Sequence, residues 1–146
     1  MTAAEDAGRT KRARVLVVDD EPDVASYLEM LLRDAGYDTE VAADGEAALA
    51  AARRTRPDLV TLDVSMPKSS GTRFYRELRG DPALASVPVV IVTAVTGLGG
   101  DAHAYEKFIS RRKIVPPPEA YFPKPIDRAE FLAAVARILA AAPARA

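Results

Sequence analysis

Apolar residues along the chain follow two alternating patterns. The first run, Arg14-Val15-Leu16-Val17-Val18, is apolar at consecutive positions and rich in β-branched residues, the pattern of a strand buried on both faces of a parallel sheet. It ends in Asp19-Asp20-Glu21-Pro22, where acids and a proline suited to a first helical position predict a helix start. Val24, Leu28, Leu31 and Ala35 then recur at helical spacing until Gly36 stops the run. The cycle repeats. A short strand is predicted over Asp38–Ala42, Asp44 caps an alanine-rich helix running to Arg54, and a third strand covers 58–63. A helix near 70–79 turns Phe74 and Leu78 inward, a fourth strand covers 87–93, and a short fifth lies around 120–122. The last helix opens with Asp127 and Glu130 at capping-box spacing and carries Phe131, Val135, Ile138 and Leu139 as its apolar stripe.

Five strands alternating with five helices predict an α/β fold. Parallel neighbours require crossovers, so the sheet is open and carries helices on both faces. Ligands of such sheets gather at the carboxyl ends of the strands. There the reading places Asp19 and Asp20 at the end of strand one, Asp63 at the end of strand three, Thr93 at the end of strand four and Lys124 just after strand five. Three crowded carboxylates repel one another unless some take protons or a cation binds among them. Hard oxygen donors favour Mg²⁺, which retains waters and accepts a phosphate oxygen as a further ligand. The constellation therefore points to phosphoryl chemistry, with one carboxylate as nucleophile, Lys124 as a fixed positive charge and the Thr93 hydroxyl as a hydrogen-bond donor.

Composition narrows the choice of partners. With 146 residues the chain is expected to form one domain, over 14–141, between a disordered tail at 1–13 and a short tail at 142–146. Twenty Lys+Arg against 21 Asp+Glu leaves no basic excess for binding nucleic acid. The absence of cysteine excludes a disulfide scaffold, thiolate metal sites and thiol nucleophiles. No apolar run approaches the ~20 residues that span a bilayer, and no apolar stretch follows the basic amino-terminal residues, so a cytoplasmic protein without membrane insertion is expected. His103, the single histidine, reads as a surface residue, and the groups Arg9-Lys11-Arg12 and Arg111-Arg112-Lys113 read as solvated basic segments.

Val17-Val18-Asp19-Asp20-Glu21-Pro22, Leu62-Asp63-Val64-Ser65-Met66-Pro67 with Gly71, Val92-Thr93-Ala94 and Phe122-Pro123-Lys124-Pro125 stand in order and register. In this the chain resembles the receiver domain of response regulators, in its stand-alone, CheY-like form, from about Arg14 to Ala141. The resemblance implies a flavodoxin-like sheet of strand order 2-1-3-4-5. It implies a two-component phosphorelay in which Asp63 accepts a phosphoryl group from a histidine kinase or phosphotransfer protein. Asp20, Asp63 and the Ser65 main-chain carbonyl would hold Mg²⁺, with Asp19 acting directly or through water. Thr93 and Lys124 would contact the phosphoryl oxygens, the peptide before Pro125 would be cis, and Tyr121 would be an aromatic switch that turns inward with Thr93. Such a protein is a phosphoacceptor that assists its own Mg²⁺-dependent phosphorylation and dephosphorylation, not an enzyme in the ordinary sense. It signals by contacts with an output protein through the fourth helix, the fifth strand and the fifth helix.

The chain departs from the common receiver pattern between Thr93 and Lys124. These stand 31 positions apart, about ten more than one helix and two short loops need. The extended fourth crossover reads as a glycine-rich start at 97–100, a helix over 102–113 and the stiff Pro116-Pro117-Pro118. It is either a longer helix packed on its own domain or a partner surface. Neither Ser65 nor Val95 carries an acid or amide that would orient an attacking water, which predicts a phosphoryl state that is not especially short-lived.

Three other functions are open to a doubly wound chain. A haloacid-dehalogenase-like phosphatase needs a general acid two residues after its nucleophile, where this chain has Ser65. Flavin or nucleotide sites need glycine-rich turns, where this chain has Asp-Asp-Glu-Pro. A docking module that signals without phosphate is the remaining alternative.

Overall fold

The computed structural model describes residues 12–64, 70–94 and 118–141, with the side chains of Ser70, Thr93 and Ala94 outside that description. Its elements are β1 (Arg14–Val18), α1 (Pro22–Asp34), β2 (Asp38–Ala42), α2 (Gly45–Arg54), β3 (Leu59–Leu62), α3 (Ser70–Gly80), β4 (Val89–Ala94), β5 (Ala120–Lys124) and α4 (Arg128–Ala141). All strand pairs are parallel and the order is β2-β1-β3-β4-β5, the flavodoxin-like order the resemblance implies.

Alternation along each strand divides the apolar residues between two cores. Val15, Val17, Leu59, Val90 and Val92 face α1 and α4, where they meet Leu28, Leu31, Leu32, Phe131 and Val135. Leu16, Val18, Val60, Leu62, Val89 and Ile91 face α2 and α3, where they meet Ala48, Leu49, Phe74, Tyr75 and Leu78. Both faces are therefore closed to water, and the strands read as continuous apolar runs. Phe122 and Phe131 meet edge to face at 5.8 Å and seat β5 on α4.

Several boundaries differ from the sequence reading for identifiable reasons. β4 begins at Val89 because the Val87 N–H bonds to the Leu84 carbonyl within a turn and Pro88 has no N–H to give the ladder. β5 runs past Phe122 to Lys124, so Lys124 closes the strand and does not follow it. Pro123 is tolerated there because β5 is an edge strand and its missing N–H costs no ladder bond. β3 is shorter by a residue at each end, and the Asp58 carboxylate accepts the Arg14 N–H at 2.7 Å. In α1 the buried residues are Ala25, Leu28, Leu31 and Leu32, whereas Ala35 is the exposed C-cap ahead of Gly36, whose φ is 98°. Asp44 caps α2 by accepting the Ala47 N–H at 2.7 Å, and Asp127 accepts the Glu130 N–H at 3.0 Å at the start of α4. The tails 1–11 and 142–146, the helix expected over 102–113, His103 and both arginine-rich groups apart from Arg12 lie outside the described residues.

Candidate functional site

The carboxyl ends of β1, β3 and β5 bring four acids and one lysine together. Asp19 follows β1 and is 2% exposed, with its N–H donating to the Ala42 carbonyl at 3.1 Å and its Oδ1 accepting the Glu21 N–H at 2.9 Å. Asp63 follows β3, is also 2% exposed, and donates its N–H to the Val18 carbonyl at 2.9 Å. Both acids are thus fixed by main-chain bonds at the mouth of the sheet. Asp20 and Glu21 are exposed beside them, Glu21 as the N-cap residue of α1.

Lys124 reaches across from the edge strand. Its Nζ lies 3.0 Å from Asp19 Oδ2, 3.2 Å from Glu21 Oε1 and 3.3 Å from Asp63 Oδ2. Burial pushes the Asp19 carboxyl above its usual range, with the Asp63 charge adding to the rise; the Glu21 N–H and the Lys124 ammonium offset only part of it. Burial pulls the Lys124 pKa down, but the hydrogen bond to Asp19 and the charges of Asp63 and Asp19 outweigh it and hold the ammonium above its usual value. Lys124 stays protonated at neutral pH.

Among the described residues one ammonium faces three carboxylates, so acids outnumber cations in a largely buried place. Oxygens of Asp19, Asp20, Glu21 and Asp63 all lie within 4.8 Å of one another. The donors opposite each other around Mg²⁺ stand about 4 Å apart, and every donor here is a hard carboxylate oxygen. The set fits a small divalent cation, with the exposed side at Asp20 open to waters and a phosphoryl oxygen.

The other residues singled out from sequence divide into placed and unplaced. Thr93 pairs with Pro123 in the β4–β5 ladder, one residue before the end of β4, and its side chain lies outside the described part. Ser65 lies outside it altogether. Tyr121 pairs with Ile91 and packs, partly buried, on the α2/α3 core. The Lys124–Pro125 peptide is cis. Glu21, in sequence a helix-start acid, is the third carboxylate on Lys124. The signal was present, since it directly follows the two aspartates and precedes Pro22.

A family model for the response regulator receiver domain matches residues 15–136. The chain belongs to that family. This receiver domain is 38% identical over 128 residues to the protein Rrf1 of Nitratidesulfovibrio vulgaris, covering 88% of this chain and 83% of that one. It is 48% identical over 87 residues to the DNA-binding response regulator MtrA of Mycolicibacterium smegmatis, covering 60% of this chain but only 37% of MtrA. Among solved structures it is similar to the receiver domain of the sensor histidine kinase PA1611 of Pseudomonas aeruginosa, which carries a magnesium ion coordinated in its active site cleft. That likeness has a TM-score of 0.72 and 26% identity over 90% of this chain and 100% of that one. A receiver domain of a two-component system accounts for the fold and for the acidic edge together. No helix among the described residues is long and apolar enough to cross a membrane.

Proposed function

We propose that this receiver domain, over 14–141, is a phosphorylation switch whose phosphoacceptor is Asp63. The observation that carries the reading is the placement of Lys124 Nζ at 3.0 and 3.3 Å from the two buried carboxylates, Asp19 and Asp63. A carboxylate oxygen of Asp63 attacks the phosphorus of a phosphohistidine on a histidine kinase or phosphotransfer protein; a C–O–P linkage forms as the P–N bond breaks, and the imidazole leaves. Lys124 offers a fixed ammonium to the transferring phosphoryl oxygens, and Thr93 offers a hydroxyl. Asp19, Asp20 and Asp63, with the Ser65 carbonyl, would hold Mg²⁺, which supplies positive charge against the phosphoryl oxygens when bound. Asp19, oriented by the Glu21 N–H, serves directly or through a water.

The acyl phosphate then draws Thr93 and Tyr121 inward. The ring of Tyr121 already rests on the α2/α3 core, so its shift alters the β5 edge of the domain. Output passes to a partner protein through that edge, the predicted helix over 102–113 and α4, in the cytoplasm. Incubation with acetyl phosphate, followed by intact-mass spectrometry, tests the reading. A gain of one phosphoryl group that requires Mg²⁺ is expected. Folded protein that gains none, from acetyl phosphate or from phosphorylated kinases, would favour a docking module that signals without phosphate.

A further inference from the structure

Gly71 lies buried in the first turn of α3. A Cβ built on it would stand 2.5 Å from the Asp63 carbonyl oxygen, 3.0 Å from the Val64 Cα and 3.3 Å from the Asp63 carbonyl carbon. All three neighbours are main chain, so no side chain can rotate aside to make room. On its other flank the Asp63 N–H is bonded to the Val18 carbonyl at 2.9 Å. The segment that carries the Asp63 carboxylate is therefore held between the end of β1 and the first turn of α3.

Backbone conformation does not demand this glycine. Gly71 is helical, and Gly36 is the described glycine with positive φ. Glycine is a far poorer helix former than alanine, so its presence inside a helix calls for a steric reason. Gly80, at the other end of the same helix, would place a Cβ in open space. The requirement belongs to the contact with Asp63, not to α3 in general.

We propose that Gly71 is a positioning residue for the phosphoacceptor: its missing side chain lets α3 seat the Asp63 peptide where the carboxylate meets Lys124 and Asp19. The inference rests on the function proposed above. A methyl group at 71 must move the Asp63 carbonyl by about 1 Å to reach ordinary contact. The Asp63 Oδ2 to Lys124 Nζ distance of 3.3 Å is already near the limit of a hydrogen bond, so a shift of that size breaks it. Misplacement by about 1 Å costs on the order of 100-fold in rate.

The test compares wild type, Gly71→Ala and Gly80→Ala by three readouts: thermal unfolding, Mg²⁺ affinity by calorimetry, and the initial rate of acetyl-phosphate labelling at saturating Mg²⁺. Gly71→Ala is expected to label roughly 10- to 100-fold more slowly than wild type even with Mg²⁺ saturating, and to bind Mg²⁺ more weakly. Gly80→Ala is expected to match wild type in both. Wild-type labelling and Mg²⁺ affinity in Gly71→Ala, whatever its melting temperature, would overturn the proposal. If wild type binds Mg²⁺ but never labels, the proposed function fails, and the Mg²⁺ affinities of the two variants still decide the role of Gly71. A hydrogen-exchange measurement on wild type covers the case in which Gly71→Ala does not fold. The Asp63 amide is expected to exchange as slowly as the β1 amides, and exchange as fast as the exposed Asp20 would overturn the proposal.

Discussion

The two ends of the sheet handle charge in opposite ways. At the amino ends of the strands, nearly buried Arg79 donates to the Tyr75 hydroxyl at 3.2 Å, to the Ala85 and Val87 carbonyls and to Glu119 at 2.9 Å, while Glu119 also accepts the Val89 N–H at 2.6 Å. Arg56 likewise donates to the Ala83 carbonyl and the Ser86 hydroxyl, and Arg14 and Arg54 converge on Glu40. Cations there are matched to acceptors and hold loops to strands. At the carboxyl ends, among the described residues, one lysine faces three carboxylates, with Asp20 a fourth acid in the same cluster. The first arrangement holds the fold together, and the second gathers an excess of acids among the described residues that a cation can relieve, leaving positive charge to meet a phosphoryl group.

Substitutions at the two ends separate these roles. The largest effect is expected for Lys124→Met, which takes the Lys124 ammonium away from Asp19 and Asp63 and should cost about 3 kcal/mol in metal-free urea unfolding. Added Mg²⁺ should narrow that loss. Arg79→Ala at the opposite end should cost about 2 kcal/mol through lost hydrogen bonds, with or without Mg²⁺, and leave acetyl-phosphate labelling unchanged. A loss at Arg79 that Mg²⁺ repaired would break the comparison.

A smaller, pH-dependent effect is expected at Asp19. Because burial raises its pKa in the folded state, its contribution to stability is greatest below the unfolded value of about 3.9 and is lost as pH rises through the folded value. Asp19→Asn should therefore flatten the fall in metal-free stability as pH rises above about 4, measured by urea unfolding across a pH series. The smallest effect belongs to Glu21→Gln. This exposed partner of Lys124 should change stability by less than about 1 kcal/mol and weaken Mg²⁺ binding only slightly by calorimetry.

Much of this was legible in the chain. The consecutive apolar strands, the Asp44 and Asp127 caps and the order of elements follow from local pattern, and a sheet closed on both faces leaves that pattern little freedom. What local pattern did not disclose was tertiary. Pro123 reads as a strand stop until β5 is known to be the edge, and Pro88 reads as a strand residue until its missing N–H is set against the ladder. The Arg79 clamp joins residues up to 40 positions apart, and the contact of Gly71 with Asp63 exists only once α3 docks. Asp19, Asp63 and Lys124 were expected at one edge and are found there, whereas Glu21 joined them only because the Lys124 side chain reaches that far.

The central claim is that the clustered acids form a phosphoacceptor site with Asp63 as its nucleophile. Borohydride reduction of the acetyl-phosphate-treated protein, followed by peptide sequencing, tests it directly, because hydride converts an aspartyl phosphate to homoserine at the modified position. The account predicts homoserine at position 63 when Mg²⁺ is present and none in Asp63→Asn. Homoserine at Asp19 or Asp20, or at no aspartate in a protein that binds Mg²⁺, would contradict it.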